Sequence, residues 1–249
     1  LMAMLLSPLP FSQQVLETHI HVGAAHFHHG YEPTHRNFPP SEEPKGRDGV
    51  LRWDVEGEHL AALLPPTGYE HHGSQLLVHY GNDPLEWRLL CAWFSGIEGE
   101  PPVSIAMSEL QREAKQWSPP KIAISQEERS LQNPAWLWDK QSGSIRLMHS
   151  SQKGKFQGRA CTEVAISTDG GSTWSEAEPL FQEKGTYLRN QPLQSFNKTE
   201  WLLPMYHTPH GFHHKVSQFS DIRRSPDGGL TWSNGTVIAP KGMALVQPT

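Results

Sequence analysis

From about residue 70 onward, apolar and polar residues alternate in short runs, and no stretch keeps the three-to-four spacing of a long amphipathic helix. The alternation predicts strands at Gln75–Tyr80, Arg88–Phe94, Val103–Met107, Glu163–Ile166 and Phe219–Ile222. Before residue 70 the pattern is weaker. Val15–Val22 alternates like a strand that closes a sheet or opens a first blade, residues 30–50 are a polar, proline-rich loop, and Glu58–Leu64 reads equally as a strand or a helical turn.

Two octapeptides punctuate this pattern, Ser167-Thr-Asp-Gly-Gly-Ser-Thr-Trp174 and Ser225-Pro-Asp-Gly-Gly-Leu-Thr-Trp232. Aspartate followed by paired glycines is a turn signal: Gly accepts positive φ, and Asp bonds the backbone that follows it. Each octapeptide is therefore the expected turn of a β-hairpin. Asp169 and Asp227 stand 58 positions apart, and other landmarks keep nearly the same period. Pro134, Pro192 and Pro248 are spaced 58 and 56, as are Trp87, Ile145 and Trp201 at the start of second apolar runs. A fixed period carrying several short strands predicts repeated four-stranded antiparallel units, the blades of an all-β propeller. The units are expected at about 72–131, 132–189 and 190–245, with a further start at 246, after an irregular segment over 1–70. In the first unit the turn Ser108 to Trp117 has lost Asp-Gly-Gly and is expected to be two residues longer than its later counterparts.

Composition agrees with many turns and short strands: 36% hydrophobic residues with 21 Gly, 21 Pro and 9 Trp. A net charge of −5 with interspersed signs carries no nucleic-acid footprint. No apolar run approaches a membrane span. Residues 1–17 are mildly apolar but lack a basic leader, so a signal peptide is weakly supported and the compartment stays open. The two cysteines, Cys91 and Cys161, each fall in a predicted strand and read as buried free thiols rather than a disulfide framework. Asn197-Lys-Thr199 and Asn234-Gly-Thr236 are glycosylation sequons at predicted turns, a pattern also common by chance.

The S-x-D-x-G-x-T-W hairpins resemble the Asp-boxes of the sialidase (neuraminidase) superfamily. The series Ala92–Ile105, Gln132-Asn-Pro134, Leu188–Leu193 and Val246–Thr249 is similar to successive blades of the bacterial-type predicted neuraminidases with BNR repeats. The resemblance covers about residues 70–249 and implies a six-bladed propeller, of which this chain would lack the C-terminal blades. It also implies exo-hydrolysis of a terminal acidic sugar without a cofactor. Sialidases use a Tyr nucleophile activated by Glu, an Asp acid/base and three Arg on the substrate carboxylate; a neutral Tyr avoids the repulsion a carboxylate nucleophile would meet. This sequence departs from that pattern. No Arg-Ile-Pro occurs near the N-terminus, and the late Arg and Tyr are expected beyond Thr249. Where relatives read Arg-Glu-Gly-x-Pro-Asp, Ile97 and Pro102 replace the Arg and the Asp, leaving Glu98 and the nearby Glu100 as candidate catalytic acids.

Strand parity assigns the faces. In a four-stranded meander the 3–4 turns, which carry the octapeptides, lie on the face opposite the 2–3 loops and the 4–1 connections. Ser167, Asp169, Gly171, Trp174, Ser225, Asp227, Gly229 and Trp232 are thus structural. The other face gathers Glu98 and Glu100 as carboxyl groups, with Arg189, His72, Asn133, Asn190, Arg159 and His207 as substrate-binding candidates. Each has a plainer reading beside it. Glu98 serves equally as a solvated loop residue, Arg189 as a partner for backbone carbonyls, and His72 as an exposed imidazole. Asn133 and Asn190 recur at the start of successive units, where they would cap the inner strand. The site is expected to use Arg189 for a sugar carboxylate and a partly buried Glu98 as proton donor.

A non-catalytic carbohydrate-binding propeller is the alternative, and the lost Arg and Asp favour it. The 15 His include the clusters His19, His21, His26, His28, His29 and His207, His210, His213, His214. They lack the ligand spacing and supporting shell of a metal centre, so no metal site is assigned.

Overall fold

A computed structural model describes residues 3–5, 21–23, 46–53, 60–68, 70–81, 86–208 and 218–238. The signal-peptide reading, the strand over 15–20, most of the 30–50 loop and the landmark at 246–249 lie outside the described residues. The chain forms two compact units, Leu1–Pro66 with Glu109–Pro120, and Thr67–Ser108 with Lys121–Thr249.

In the first unit, β1 (Ala3–Leu5) pairs with β2 (His21–Gly23), and β3 (Arg52–Trp53) pairs with β4 (Leu60–Ala61), both antiparallel. The Glu58–Leu64 ambiguity resolves to a two-residue strand at its centre. The loop at Gly49 packs on Trp117, which is buried. The Gly49 carbonyl accepts the Trp117 N–H at 2.9 Å, while Val50 bridges Gln116.

The second unit holds three antiparallel sheets in chain order. The first runs β5 (His71–Tyr80), β6 (Trp87–Ser95), β7 (Ser104–Gln111), β8 (Lys121–Ile124), and the second β9 (Arg129–Trp138), β10 (Ile145–Lys153), β11 (Cys161–Ser167), β12 (Glu178–Pro179). In the third, β13 (Thr186–Leu188) and β14 (Leu193–Gln194) both pair with β15 (Trp201–His207), which pairs with β16 (Phe219–Ser225) and then β17 (Thr236–Val237). Each sheet is a simple meander, as the alternating pattern predicts.

The sheets stack through their faces. Leu90, Ile105 and Met107 of the first sheet meet Leu131, Trp136, Ile145 and Leu147 of the second in one buried cluster. Leu137 and Met148 of the second meet Leu188, Leu203 and Met205 of the third. Apolar side chains therefore leave water on both faces of the middle sheet, which explains its near-continuous buried runs.

The inner strand of every sheet is irregular at the same place. Register shifts occur between His72 and Gln75 and opposite Met148–Ser150, where Asn133 adopts φ 51°; the third inner strand breaks outright between β13 and β14. Asn133 and Asn190 therefore do not cap strand starts. The second inner strand already begins at Arg129 and the third at Thr186, so both asparagines sit within the strand path, at the bulge or break. Asn tolerates the left-handed conformation that a bulge needs, which a β-branched residue would not.

The octapeptide turns are built alike. Ser167 Oγ donates to Asp169 and accepts the Gly171 N–H at 2.7 Å, and Asp169 holds the Thr173 N–H and hydroxyl. Ser225, Asp227, Gly229 and Thr231 repeat these bonds. Thr and Ser bonds hold the Asp169 carboxyl well below the usual carboxylate range and that of Asp227 at about 2. Each turn also docks on the preceding sheet through an arginine from its second strand. Arg88 donates to the Gly170 carbonyl, and Arg146 donates to the Gly228 carbonyl at 3.0 Å. Gly171 and Gly229 have φ 91° and 86°, and a Cβ on Gly229 would drive into Leu137.

The first-sheet turn corrects the sequence reading. Its closing pair is Glu109 with Ser118, each bonded through backbone and Ser Oγ, just as Ile166 pairs with Ser175 and Arg224 with Ser233. The three turns are therefore equal in length, and Arg112 stands where the others have Asp. Counting from Ser108 misplaces the register.

Candidate functional site

In the second sheet, Ile145 pairs with Ser167 at one end of the strands, while Ser151 pairs with Cys161 at the other. The octapeptides therefore sit at one end of the strands, and the 2–3 loops at the opposite end. At that opposite end a cavity of about 270 Å³ is lined by Glu98, Gly99, Gln132, Gln152, Lys155 and Gln157.

Its walls come from the first two sheets, and a tyrosine of the third bonds one of them. Glu98 and Gly99 lie on the loop after β6, and the Gly99 N–H donates to Ser130 Oγ at 3.2 Å, pinning this loop to β9. Gln132, next to the bulge, donates to the same hydroxyl at 3.0 Å. Gln152, at the end of β10, donates to the Gly154 carbonyl and accepts from the Tyr187 hydroxyl, both at 2.6 Å. Tyr187 is buried and stacks on Tyr206 with ring centroids 5.0 Å apart and an interplanar angle of 12°. The two are cross-strand partners on β13 and β15. The bulge at Asn133 aims its amide at Tyr206, whose hydroxyl it bonds.

The electrostatics converge on Tyr206. Burial, then the Glu98 charge, pushes its hydroxyl up to about 12 against the opposing pull of the Asn133 bond and the Arg189 charge. Burial, with Tyr206 and Glu98 contributing, also pushes Tyr187 up. Both phenols are therefore protonated, neutral donors at neutral pH. The Arg189 backbone carbonyl accepts from Gln75 Nε2 at 3.3 Å, and the Gln75 carbonyl accepts from Trp136 Nε1 at 3.1 Å. Side chain and backbone thus tie the inner strands of all three sheets beside the cavity.

Of the candidates, Asn133 bonds Tyr206, and the Glu98 and Arg189 charges both act on its hydroxyl; of the three, Glu98 alone lines the cavity. His72 joins indirectly: Nε2 lies 3.5 Å from Glu70 Oε2, which also accepts the Glu98 N–H at 3.4 Å, and the imidazole stacks on Phe94. Glu98 is exposed, so the partial burial expected of it is not observed. Glu100 is exposed and bound to Lys155 Nζ at 3.0 Å. Asn190 stands in the break between β13 and β14.

Two candidates lie elsewhere. His207 points from the opposite side of β15 to Tyr206, because neighbouring strand residues face opposite ways. It is buried, stacked on Phe219 at 4.4 Å, with Nε2 3.0 Å from Asp221 Oδ2 but not aligned for a hydrogen bond. Arg223 completes this cluster, 3.1 Å from Glu183 and over the Phe181 ring. Arg159 sits on a turn of 3-10 helix, Gln157–Arg159, with its guanidinium 5.5 Å from the Phe156 ring centroid, and lines a second cavity instead of the first. His19, His26, His28, His29, His210, His213 and His214 lie outside the described residues. Among the described residues no group of three or more His, Cys, Asp or Glu could hold a metal ion.

Sequence reasoning missed Tyr187, Tyr206, Glu70 and Gln152 as candidate site residues. A signal for the tyrosines was present: Tyr187 lies two residues before Arg189, and Tyr206 is the last residue but one of the second strand, close to a 2–3 loop.

A family described as a BNR repeat-like domain matches residues 87–249, and the chain belongs to that family. Solved structures share the fold. Hadza microbial sialidase Hz136 is 16% identical with a TM-score of 0.53, covering 72% of this chain and 41% of its own. The NanB sialidase from Streptococcus pneumoniae is 11% identical with a TM-score of 0.53, covering 71% and 45%. A leech intramolecular trans-sialidase, complexed with 2,7-anhydro-Neu5Ac, is 11% identical with a TM-score of 0.51, covering 71% and 44%. This chain thus spans less than half the length of each. No curated protein sequence matches it.

Proposed function

We propose that the three sheets are consecutive blades of a sialidase-type, six-bladed propeller, and that the cavity with Tyr206 at its side binds a terminal acidic sugar for hydrolysis. The observation that carries this is that a cation and a carboxyl group, Arg189 and Glu98, both act on one neutral phenol, Tyr206, which bonds Asn133 at the bulge of the second inner strand. Arg189 holds the sugar carboxylate, and Asn133 and Gln132 address hydroxyl or amide groups. Glu98 supplies the carboxyl group for proton transfer. Tyr206 carries no charge to repel an anionic sugar, and its high pKa keeps it protonated until a base takes the proton. Proton transfer between Tyr206 and Glu98 is the step that separates a hydrolase from a binding module.

The second reading, a non-catalytic sugar-binding propeller, has its own support. Glu100 is occupied by Lys155, and the downward pull of Asn133 and Arg189 on Tyr206 is outweighed by its burial and the Glu98 charge. One experiment decides between them. The full chain is titrated calorimetrically with sialic acid and with galactose, and release of sialic acid from 3′-sialyllactose is followed in parallel. Selective binding with release supports the hydrolase, and binding without release supports the module. Failure to distinguish the acidic from the neutral sugar refutes the acidic-sugar hydrolase, and failure to bind either sugar refutes both.

A further inference from the structure

The loop after β10 separates two cavities and divides its side chains between them. Lys155 and Gln157 line the cavity described above, whereas Lys153, Gly154, Phe156 and Arg159 line a second, of about 540 Å³, together with Pro101, Glu127 and Glu128. The two differ in chemistry. The first is lined by polar and charged side chains. In the second, an apolar floor of Pro101 and Phe156 is rimmed by charges, including the Lys153–Glu128 pair at 3.1 Å.

Phe156 is the unusual residue. The residue is 66% exposed; it stands immediately before a turn of 3-10 helix whose Arg159 guanidinium lies over its ring. An ordered aromatic ring facing water beside charged hydrogen-bonding groups suits a ligand with one apolar face and a polar edge. A neutral pyranose has that shape: its ring C–H groups form the apolar face and its hydroxyls the edge. We propose that Phe156 and Arg159 form a platform for the neutral sugar that follows the terminal acidic sugar in a glycan, with the 153–159 loop as the wall between the two subsites. This rests on the acidic-sugar reading of the first cavity. It also gives Arg159 a place that the first cavity does not.

The test uses the full chain, calorimetric titration with sialic acid and with 3′-sialyllactose, and amide NMR with lactose alone. The wild type should bind 3′-sialyllactose more tightly than sialic acid. Phe156→Ala should lose about tenfold toward 3′-sialyllactose and leave sialic acid unchanged, and Phe156→Tyr should restore the difference. Because Phe156 is exposed, these variants keep the fold, which circular dichroism checks. Equal weakening of both ligands, or of neither, overturns the platform. Lactose shifts confined to residues 153–159, with no response to sialic acid, would keep the platform and overturn the acidic site. Binding of no ligand by the wild type overturns both.

Discussion

His149 gives the sharpest stability prediction. It lies in β10 opposite Glu163 of β11, fully buried, with neither ring nitrogen hydrogen-bonded. Burial lowers its pKa from 6.5 to about 4; the Glu163 charge and the nearby Ser150 backbone, too poorly aligned for a full hydrogen bond, oppose this, and the Arg129 charge assists. The unfolded chain therefore binds a proton between about pH 6.5 and 4 that the folded chain refuses. Stability is intact above pH 6.5, falls as pH drops through that window, and levels off below about 4. At about 1.4 kcal/mol per pH unit, the gap corresponds to about 3 kcal/mol, most of it lost by about pH 4.5. Urea unfolding of wild type and His149→Phe at pH 7.5 and 4.5 measures it. The variant should lose most of the pH dependence, whatever its absolute stability, and His149→Leu serves if Phe overpacks the site. Wild-type and variant curves that fall in parallel would refute the burial argument. Asp169 and Asp227 do not confound the comparison, because their carboxyls titrate below this window.

Other outcomes follow from the same geometry. Asp227 has its folded pKa held at about 2, so its stabilisation is present above the usual carboxylate range and lost as pH falls toward 2. Asp227→Ala should lower the melting temperature at pH 7 and flatten that acid limb. Gly229→Ala should also destabilise the chain, by at least about 1 kcal/mol in thermal unfolding, since it strains a positive φ and pushes into Leu137. NMR titration of Cζ-labelled tyrosine should show Tyr206 ionising earlier in Glu98→Gln and later in Arg189→Ala. Unchanged titration in both would mean that neither charge reaches the hydroxyl.

Much of this fold was legible because local rules and tertiary demands agree. Alternation located β5, β6, β7, β11 and β16, and Asp-Gly-Gly located two hairpins whose bonds Ser, Asp and Thr supply from within the motif. What failed were features set by neighbours. The Ser108–Trp117 turn was measured from the wrong serine, because the bond that defines it joins Glu109 to Ser118, and no residue type announces that register. Asn133 and Asn190 looked like strand starts because they recur at the same place in successive units, yet the ladder runs past Asn133 by bulging, and the third inner strand breaks around Asn190. At the candidate site, parity named Glu98, Arg189 and Asn133 from distant sequence, and all three act on Tyr206. Parity placed His207 wrongly, since the side of a strand that faces a cavity depends on one residue of register. Tyr206, one position away, lies on the other side of β15 and stacks on Tyr187.

The central claim is that an anionic sugar is held by Arg189 beside Tyr206, at the end of the strands opposite the octapeptides. Its most direct test is calorimetric titration of sialic acid into the full-length protein carrying Arg189→Ala, Arg189→Lys or Asp169→Ala. Losing a charge-assisted hydrogen bond to the carboxylate should cost Arg189→Ala about 2 kcal/mol, roughly thirtyfold in affinity, with partial recovery in Arg189→Lys. Asp169→Ala should bind as the parent does while melting at a lower temperature. Parental affinity in Arg189→Ala, or loss of the ligand by a fully folded Asp169→Ala, would contradict the claim.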